Sequence, residues 1–406
     1  MTATVPVVAG PRRFRNSTAL VEHADPVWQR AADNGLIGIE VDHESNNRLV
    51  VPGTGHTFVN MCSCSYLGLN RHPAIIEGTV RALRDTGTIE LMTSTTRIRP
   101  SLQARLETEL GDLFGAHILL STTCSTISAG ILPLLASGHL APGGPRVMIF
   151  DRHCHFSMNY VKAICAEESL VLTCDHNDLD FIADACRRYG SVAYVADGAY
   201  SMGGAAALDG LLELRERYGL YLFLDDSHSL SIVGERGEGF VRSHTEVDPL
   251  TTIVTSLGKG FGSGGGVAML SSGRQAEFLA RHGGPLGWSQ NMSVPTIGAA
   301  LASAAIHRSP ELGELQAGLR ANLDYFDSLL PTPLAGNGLP VRRVNVGDAD
   351  LAVRMSAELF RRGFYSSAVF FPIVPRGEAG LRVMIRADMT REDLATFTSH
   401  VKELTA

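Results

Sequence analysis

Short apolar runs alternate with amphipathic segments between about residues 59 and 290. Seven runs rich in β-branched and aliphatic residues predict strands: Ile118–Ser121, Val147–Phe150, Leu170–Thr173, Val192–Ala196, Leu220–Leu224, Thr252–Thr255 and Val267–Leu270. Between them, helical spacing of apolar residues predicts helices over Leu102–Phe114, Asp178–Tyr189 and Leu211–Tyr218. This alternation predicts a mainly parallel sheet with helices on both faces. Ligands of such sheets bind at the carboxyl ends of the strands.

The chain on either side of this region has a different pattern. Residues 1–58 predict an N-terminal arm with a helix around Asp25–Asn34, and residues 59–295 a large α/β domain. Residues 296–406 predict a smaller α+β domain that starts with a helical region reaching Leu330. Its later elements are predicted at Val341–Val346, Asp350–Arg362, Ser367–Phe371, Leu381–Arg386 and from Arg391 onward.

Composition narrows the class of protein. The formal net charge of −7 over 406 residues argues against a nucleic-acid-binding protein, which usually presents a basic face. No apolar run is long enough to span a membrane, and the first residues lack the pattern of an export signal. The seven cysteines are scattered without a Cys-x-x-Cys pair, which indicates reduced thiols in a cytoplasmic protein.

Lys259 is the first candidate for chemistry. The chain has only three lysines, Lys162, Lys259 and Lys402, among its 35 lysines and arginines. Lys259 lies between small hydroxyl residues and glycines, directly after the strand predicted at Thr252–Thr255. An arginine can replace a lysine that supplies only charge, but it cannot become a neutral amine that attacks a carbonyl. The pattern therefore predicts a Schiff-base lysine.

Asp225 and His228 follow the buried strand predicted at Leu220–Leu224. A carboxylate at the end of such a strand needs a cation or a strong donor, and a protonated pyridine nitrogen is one such partner. That pairing makes pyridoxal phosphate an electron sink. The alternative for Asp225 is a solvated turn with a helix cap. Lys259, 34 residues downstream, favours the cofactor interpretation.

Two further segments follow predicted strands. His153-Cys154-His155 resembles a zinc sequence, but no second Cys/His cluster has metal spacing, so no metal is expected. The other interpretations are that a histidine of this segment stacks on a cofactor ring or that it has a structural role. Thr123-Cys124-Ser125 precede a predicted helix. Backbone N–H groups and hydroxyls at the start of a helix can bind a phosphate. The alternative is that Ser125 or Thr126 is a simple N-cap.

The glycines from Gly258 to Gly266 do not form a nucleotide-binding loop. Lys259 is followed by glycine rather than by Ser or Thr, and the strand–helix setting of a dinucleotide motif is missing.

Taken together, these segments resemble the α-oxoamine synthases, pyridoxal-phosphate enzymes of aminotransferase fold type I. The resemblance runs from about residue 58 to the C-terminus. It rests on Cys64-Ser65-Tyr66-Leu67-Gly68-Leu69, Arg71-His72-Pro73, Asp225-Asp226-Ser227-His228, Gly234-Glu235-Arg236-Gly237-Glu238-Gly239, Ser256-Leu257-Gly258-Lys259-Gly260-Phe261-Gly262, Pro372 to Pro375 and Leu381-Arg382. The implied architecture is a mainly parallel seven-stranded sheet with a smaller α+β C-terminal domain.

The resemblance also implies roles for residues. Lys259 would form the Schiff base with pyridoxal 5'-phosphate, and Asp225 would pair with the pyridine nitrogen. The other implied ligands are His228 and Ser201 at the phenolic oxygen, His155 and Ser227 on the two ring faces, Thr123, Cys124, Ser125 and Ser256 at the phosphate, and Arg382 at the amino-acid carboxylate. An arginine offers a carboxylate two parallel donors; the alternative for Arg382 is a surface ion pair.

The implied reaction condenses an amino acid with an acyl thioester, with loss of carbon dioxide, to give an α-amino ketone in a biosynthetic role. The acyl carrier is coenzyme A or a carrier protein. The implied assembly is a homodimer with active sites at the interface, where Ser289 reaches the partner's phosphate. The open alternatives are other carbanion chemistry on the same fold, such as aldol or retro-aldol reaction, β-substitution or transamination, and a non-enzymatic scaffold.

Three departures from the family pattern bear on the substrates. Cys64 stands where the family usually has an asparagine, and Thr123-Cys124 replace a glycine and an aromatic residue. Glu90 to Arg97 replace a glycine-rich stretch, and Arg97 keeps the place of its arginine. We therefore expect Cys64, Glu90 and Arg97 to take part in substrate choice, with Glu90 repelling an anionic acyl group.

Overall fold

A computed structural model describes residues 16–405 except residues 142 and 145. Its helices are α1 Asn16–Asp33, α2 Pro73–Thr86, α3 Ser101–Phe114, α4 Cys124–Ala136, α5 Phe156–Asn159, α6 Lys162–Glu168, α7 Leu179–Tyr189, α8 Leu208–Tyr218, α9 Phe240–His244, α10 Gly273–His282, α11 Pro285–Trp288, α12 Val294–His307, α13 Pro310–Leu329, α14 Ala349–Arg361 and α15 Arg391–Thr405. Its strands are β1 Asp42–Ser45, β2 Arg48–Val50, β3 Thr57–Asn60, β4 His117–Ser121, β5 Val147–Asp151, β6 Val171–Cys174, β7 Val192–Asp197, β8 Tyr221–Asp225, β9 Thr251–Ser256, β10 Gly266–Leu270, β11 Val341–Gly347, β12 Phe364–Tyr365, β13 Ser367–Val369 and β14 Ala379–Met384.

The central feature is a seven-stranded sheet in the order β4-β10-β9-β8-β7-β5-β6. Neighbouring strands from β9 to β6 are parallel, and only β10 runs antiparallel to both of its neighbours. All seven strands predicted from the apolar runs are present, with ends shifted by one residue at most. Because β5, β7, β8 and β9 run in one direction, the residues that follow them meet at a single edge of the sheet.

Both faces of this sheet are buried under helices. Every residue of β7 and β8 is buried, which explains why these strands read as continuous apolar runs rather than as alternating ones. One apolar cluster forms around α3, α7 and α8, and a second around α4 and α6. The strand ends are therefore held in a fixed arrangement.

The C-terminal part contains a three-stranded antiparallel sheet in the order β11-β14-β13. Strands β1, β2 and β3 of the N-terminal segment form a second small sheet with β12, and α1 packs on α14. The N-terminal segment thus packs against the C-terminal elements. The boundaries at residues 58 and 295 stay a prediction, and residues 1–15 lie outside the described part of the chain.

The helical region predicted to reach Leu330 is two helices, α12 and α13, which meet at Arg308 and Ser309. Among the described residues, no helix is both long and apolar enough to cross a membrane.

Candidate functional site

Three side chains in contact with one another lie where β8 and β9 end. The Lys259 Nζ is 3.0 Å from Nε2 of His228, and Nδ1 of the same ring is 2.6 Å from the Tyr66 hydroxyl. Tyr66 and His228 are almost completely buried. Burial, together with the nearby charges of Lys259 and Arg382, lowers the pKa of His228 well below its ordinary value. The imidazole is therefore neutral at pH 7 and has one N–H and one lone pair.

Asp225 is the last residue of β8, beside these three side chains, and is 5% exposed. One of its oxygens accepts a hydrogen bond from the backbone N–H of Ser227 at 3.0 Å, and the other faces the Cys124 thiol at 3.4 Å. Among the described residues, no lysine or arginine forms an ion pair with Asp225. A buried carboxylate with only these donors suits a cationic ligand such as a protonated ring nitrogen.

Ser227 and Ser256 connect the ends of β8 and β9. The Ser227 hydroxyl accepts a hydrogen bond from the Ser256 backbone N–H at 2.8 Å and donates to the sulfur of Cys124. The hydroxyl of Ser256 accepts from the Gly258 N–H at 3.1 Å. These bonds fix the backbone on both sides of Lys259.

His155 and Asp197 approach from the ends of β5 and β7. The His155 backbone N–H donates to Asp197 at 2.8 Å, and its Nδ1 is 2.9 Å from the Ser157 hydroxyl. Burial lowers the pKa of His155. Burial, and secondarily the charge of Asp225 on the neighbouring strand, raises the pKa of Asp197 well above its ordinary value. The backbone of Ser201 is close enough to Asp197 to lower the pKa of its carboxyl group in part, which places Ser201 at the same edge of the sheet.

The N-terminus of α4 faces the same edge. Its cap is Thr123, whose hydroxyl accepts from the Thr126 N–H at 3.1 Å, so neither Ser125 nor Thr126, the alternative caps, has this role. Thr123 takes that role because it is the residue with extended backbone directly before the helix. The N–H groups of Cys124 and the exposed Ser125 stand in the first turn, where an anion binds favourably.

Gly266 allows this helix to approach the sheet. A Cβ atom at Gly266 would lie 2.4 Å from the backbone carbon of Thr123 and 2.5 Å from the nitrogen of Cys124. Only a glycine fits between β10 and the first turn of α4.

Arg382 reaches the site from β14. Its charge acts on Tyr66, His155 and His228, which places the guanidinium close to all three. The Nε atom is buried without a hydrogen-bond partner among the described residues. Since unpaired buried donors are costly, this arginine is suited to an external acceptor such as a carboxylate. Cys64 lies beside the Tyr66 hydroxyl, at the same end of the site.

Three of the predicted site residues lie in a second group. Arg97 stacks on Trp288 at 5.6 Å, and the Ser289 carbonyl accepts from the Thr95 N–H at 3.2 Å. The Ser289 hydroxyl donates to the Pro285 carbonyl at 2.5 Å. Glu90 belongs to the same segment, and its Oε1 is buried without a hydrogen-bond partner. Within one chain, the structure records no contact between these three residues and Lys259, His228 or Asp225.

Asp151, His153 and His176 form a cluster with the spacing of a metal site. The Asp151 carboxylate already accepts hydrogen bonds from the His153 and Asn177 N–H groups and from the Tyr194 hydroxyl. His176 Nδ1 lies 3.2 Å from it as well. These donors occupy the lone pairs that a metal ion would need.

Sequence reasoning placed Asp197 at a strand end and Tyr66 in the family motif, but assigned neither of them a role in the site. Tyr66 belongs to the segment that carried the family resemblance, but its partner His228 is 162 residues away. Asp197 ends a predicted strand as Asp225 does, and the two are paired in register. A carboxylate at the end of a buried strand was thus the signal that could have found Asp197.

The chain is similar to known proteins over most of its length. The family model of aminotransferase class I and II matches residues 56–401. Human mitochondrial 2-amino-3-ketobutyrate coenzyme A ligase is 26% identical over 355 residues, which cover 85% of this chain and 82% of that protein. The 8-amino-7-oxononanoate synthase of Methylobacillus flagellatus is 29% identical over 385 residues, 90% of this chain and 89% of that protein.

Solved structures match over nearly the whole chain. A serine palmitoyltransferase from S. paucimobilis with a bound adduct of pyridoxal phosphate and myriocin has a TM-score of 0.83 at 19% identity, covering 96% of this chain and 99% of that one. The 8-amino-7-oxononanoate synthase of Francisella tularensis has a TM-score of 0.69 at 19% identity, covering 85% and 98%. The seven-stranded α/β architecture expected from the sequence is therefore confirmed.

Proposed function

Because the chain belongs to the aminotransferase class I and II family, we propose that it is a pyridoxal-phosphate-dependent acyltransferase. It condenses an amino acid with an acyl thioester, releases the thiol and carbon dioxide, and forms an α-amino ketone. The relatives carry the names of α-oxoamine synthases, which confirms the resemblance and the pyridoxal 5'-phosphate cofactor expected from the motifs.

One observation carries the proposal: Lys259, His228 and the ion-pair-free Asp225 meet at the strand ends, with the open guanidinium of Arg382 close by. The cofactor, when bound, supplies an electron sink for a carbanion next to the amino-acid nitrogen. With the cofactor bound, Asp225 would hold a proton on the ring nitrogen, and Lys259 would be the residue that links to the cofactor and moves the substrate proton. Thr123, Cys124, Ser125 and Ser256 hold the phosphate, while His155 and Ser227 flank the ring.

The remaining residues orient the reacting groups. His228 and Ser201 would hydrogen-bond the phenolic oxygen of the ring, and Arg382 would bind the carboxylate of the amino acid through its two parallel donors. Cys64 lines the space for the amino-acid side chain. Glu90 and Arg97 act on the acyl thioester, and the buried, unpaired oxygen of Glu90 supports a polar partner there.

We further propose a cytoplasmic homodimer. The residues Glu90, Arg97 and Ser289 form a group separate from Lys259 within one chain, as expected if they serve the active site of the other subunit. Ser289 would then reach the partner's phosphate. The acyl group arrives on coenzyme A or on a carrier protein.

The Schiff base is tested first. The purified protein with pyridoxal phosphate should be yellow, and borohydride reduction should fix the cofactor on a single peptide that contains Lys259. Lys259→Ala should lose the fixable cofactor, whereas the control Lys402→Ala, at an exposed position in α15, should keep it. A colourless protein, or a label on Lys402, would overturn the proposal.

Acyl transfer is tested by thiol release from a panel of acyl thioesters in the presence of single amino acids. We expect release that depends on both substrates and carbon dioxide that appears in equal amount. Amino-acid turnover without thiol release would instead support aldol, β-substitution or transamination chemistry. Thiol release without any amino acid would mean plain thioester hydrolysis and contradict the proposal.

A further inference from the structure

The Tyr66 hydroxyl lies on the side of the His228 ring that faces away from Lys259. It is 2.6 Å from Nδ1 of His228, while Nε2 of the same ring is 3.0 Å from Lys259 Nζ. The other neighbours of the hydroxyl are the Met384 sulfur at 3.7 Å and the Cys64 thiol. We propose that Tyr66 is a positioning residue whose hydroxyl reverses its hydrogen bond to His228 as Lys259 changes from a free ammonium to its covalent form. This inference rests on the proposed function, since it concerns the same lysine.

The first state follows from the number of donors and acceptors on each group. An ammonium group has only donors, so a free, charged Lys259 must donate to a lone pair on Nε2. His228 is neutral, so its single proton is then on Nδ1. The Nδ1–H donates to the oxygen of Tyr66, and the Tyr66 O–H is left to donate to the sulfur of Met384 or of Cys64, both weak acceptors.

The second state reverses each bond. Lys259 must lose a proton before it can form a Schiff base. In the net change, the partly exposed Lys259 releases one proton to solvent, and the single proton of His228 moves from Nδ1 to Nε2, so the ring is neutral before and after. Nδ1 then has a lone pair, to which the Tyr66 hydroxyl donates. The new N–H on Nε2 points toward the site, where the phenolic oxygen of the cofactor can accept it.

A tyrosine suits this position because its hydroxyl both donates and accepts. Burial raises the pKa of Tyr66 well above its ordinary value, so the phenol stays protonated in both states. The titratable groups that face Tyr66 and His228 are Cys64, Lys259, His155 and Arg382. None of the hydrogen bonds recorded for these four groups involves Nδ1 of His228.

The test is the position of the His228 proton. In protein labelled with nitrogen-15 histidine, the ring-nitrogen signals that disappear in His228→Gln belong to His228. Without pyridoxal phosphate, the wild-type protein should show a protonated Nδ1 and an unprotonated Nε2. Addition of pyridoxal phosphate should exchange the two. A ring that keeps the same protonated nitrogen with and without the cofactor would overturn the proposal.

Kinetics give an independent readout. Tyr66→Phe keeps the ring and its packing but removes the hydroxyl, so we expect visible absorbance from cofactor uptake to develop about tenfold more slowly, in line with the loss of one buried hydrogen bond. The matched control is Tyr221→Phe. Tyr221 lies at the end of β8 far from the site, is also fully buried, and makes a 2.6 Å hydrogen bond to Thr252. The control should keep the wild-type rate.

Equal uptake rates in the two tyrosine variants would contradict a positioning role. A wild-type protein that takes up no cofactor would instead overturn the proposed function, and the proton on Nδ1 of the cofactor-free protein would still be measured. If Tyr66→Phe does not fold, the wild-type nitrogen-15 spectra decide the proposal alone.

Discussion

Arg382 shows how a single residue indicates what is bound. Its side chain is partly buried, and its Nε has no acceptor among the described residues. Arg343, which is paired with Arg382 across β11 and β14, instead forms an ion pair with Glu378 at 3.2 Å. Of these two neighbouring arginines, Arg343 is paired with a carboxylate of the protein, whereas the buried Nε of Arg382 has no partner among the described residues.

Replacement of Arg382 should weaken binding of the amino acid. In Arg382→Gln we expect the KM for the amino acid to rise about 100-fold, since charged hydrogen bonds contribute roughly 1.5–3 kcal/mol each. The KM for the acyl thioester should change little. Steady-state kinetics of Arg382→Gln and the control Arg343→Gln measure this difference, and similar changes in both variants would contradict the assignment.

Asp226 makes stability depend on pH. Burial raises the pKa of its carboxyl group from 3.8 to about 6, and one of its oxygens is buried without a partner. In the unfolded chain the group loses its proton near pH 4, but in the folded chain only near pH 6. Between these values the folded state binds more protons, so stability falls as the pH rises through this window.

Asp226→Asn should remove this dependence while its amide oxygen still accepts from the Val241 N–H. Between pH 4 and pH 7, the wild-type free energy of unfolding should fall by up to about 3 kcal/mol more than that of the variant. Denaturant unfolding at both pH values, at equal protein concentration and cofactor loading, gives the comparison. Parallel losses in the two proteins would show that Asp226 does not titrate in this window.

At the scale of elements, the proposed phosphate site depends on how closely α4 approaches β10. Gly266→Ala would place a methyl group against the backbone of Thr123 and Cys124, and the clash should cost about 1–3 kcal/mol of stability. Because the first turn of α4 must move, we expect the affinity for pyridoxal phosphate to fall at least tenfold. Fluorescence titration with the cofactor would measure it.

Gly273→Ala is the control for that element. Gly273 begins α10, three residues beyond the other end of β10, and an added Cβ there would meet only ordinary contacts at 3.6 Å or more. We expect unchanged cofactor affinity and equal or slightly higher stability, since alanine favours a helix over glycine. An affinity loss in both variants would argue against a specific role for the α4 approach.

The elements themselves were largely predictable from the sequence. Strands such as β7 and β8 are buried on both faces, so their apolar runs are continuous and bounded by turns. For the same reason Asp225, His228 and Lys259 could be placed together at the strand ends. The bond between Tyr66 and His228 could not, because it depends on how a loop before α2 packs onto β8.

Ser289, Arg97 and Glu90 illustrate the same limit. The sequence grouped them with the site through the family resemblance, yet within one chain they contact each other's segments and not Lys259. The resemblance assigned only Ser289 to the site of the other subunit. For Glu90 and Arg97, the sequence pattern does not indicate which subunit they would serve in the proposed homodimer.

At the scale of the whole molecule, an apolar surface surrounds this second group. Ile89, Met92, Ile98 and Trp288 expose between 62% and 69% of their surface. Soluble monomers rarely leave several large apolar side chains exposed side by side. The segments that carry them are joined, since the Asn291 side chain donates to the carbonyls of Thr93 and Ile98. We expect this surface to be the subunit interface of the proposed homodimer.

Ile98→Asp should therefore separate the subunits, because a dimer would have to bury the new charge without a partner. Sedimentation should show the 43.5 kDa chain alone. If Ser289 serves the phosphate of the other subunit, the separated chain should also bind pyridoxal phosphate more weakly. Phe181→Asp, on the exposed side of α7, should leave both properties unchanged. A dimeric Ile98→Asp, or a monomer with full cofactor affinity, would contradict a shared site.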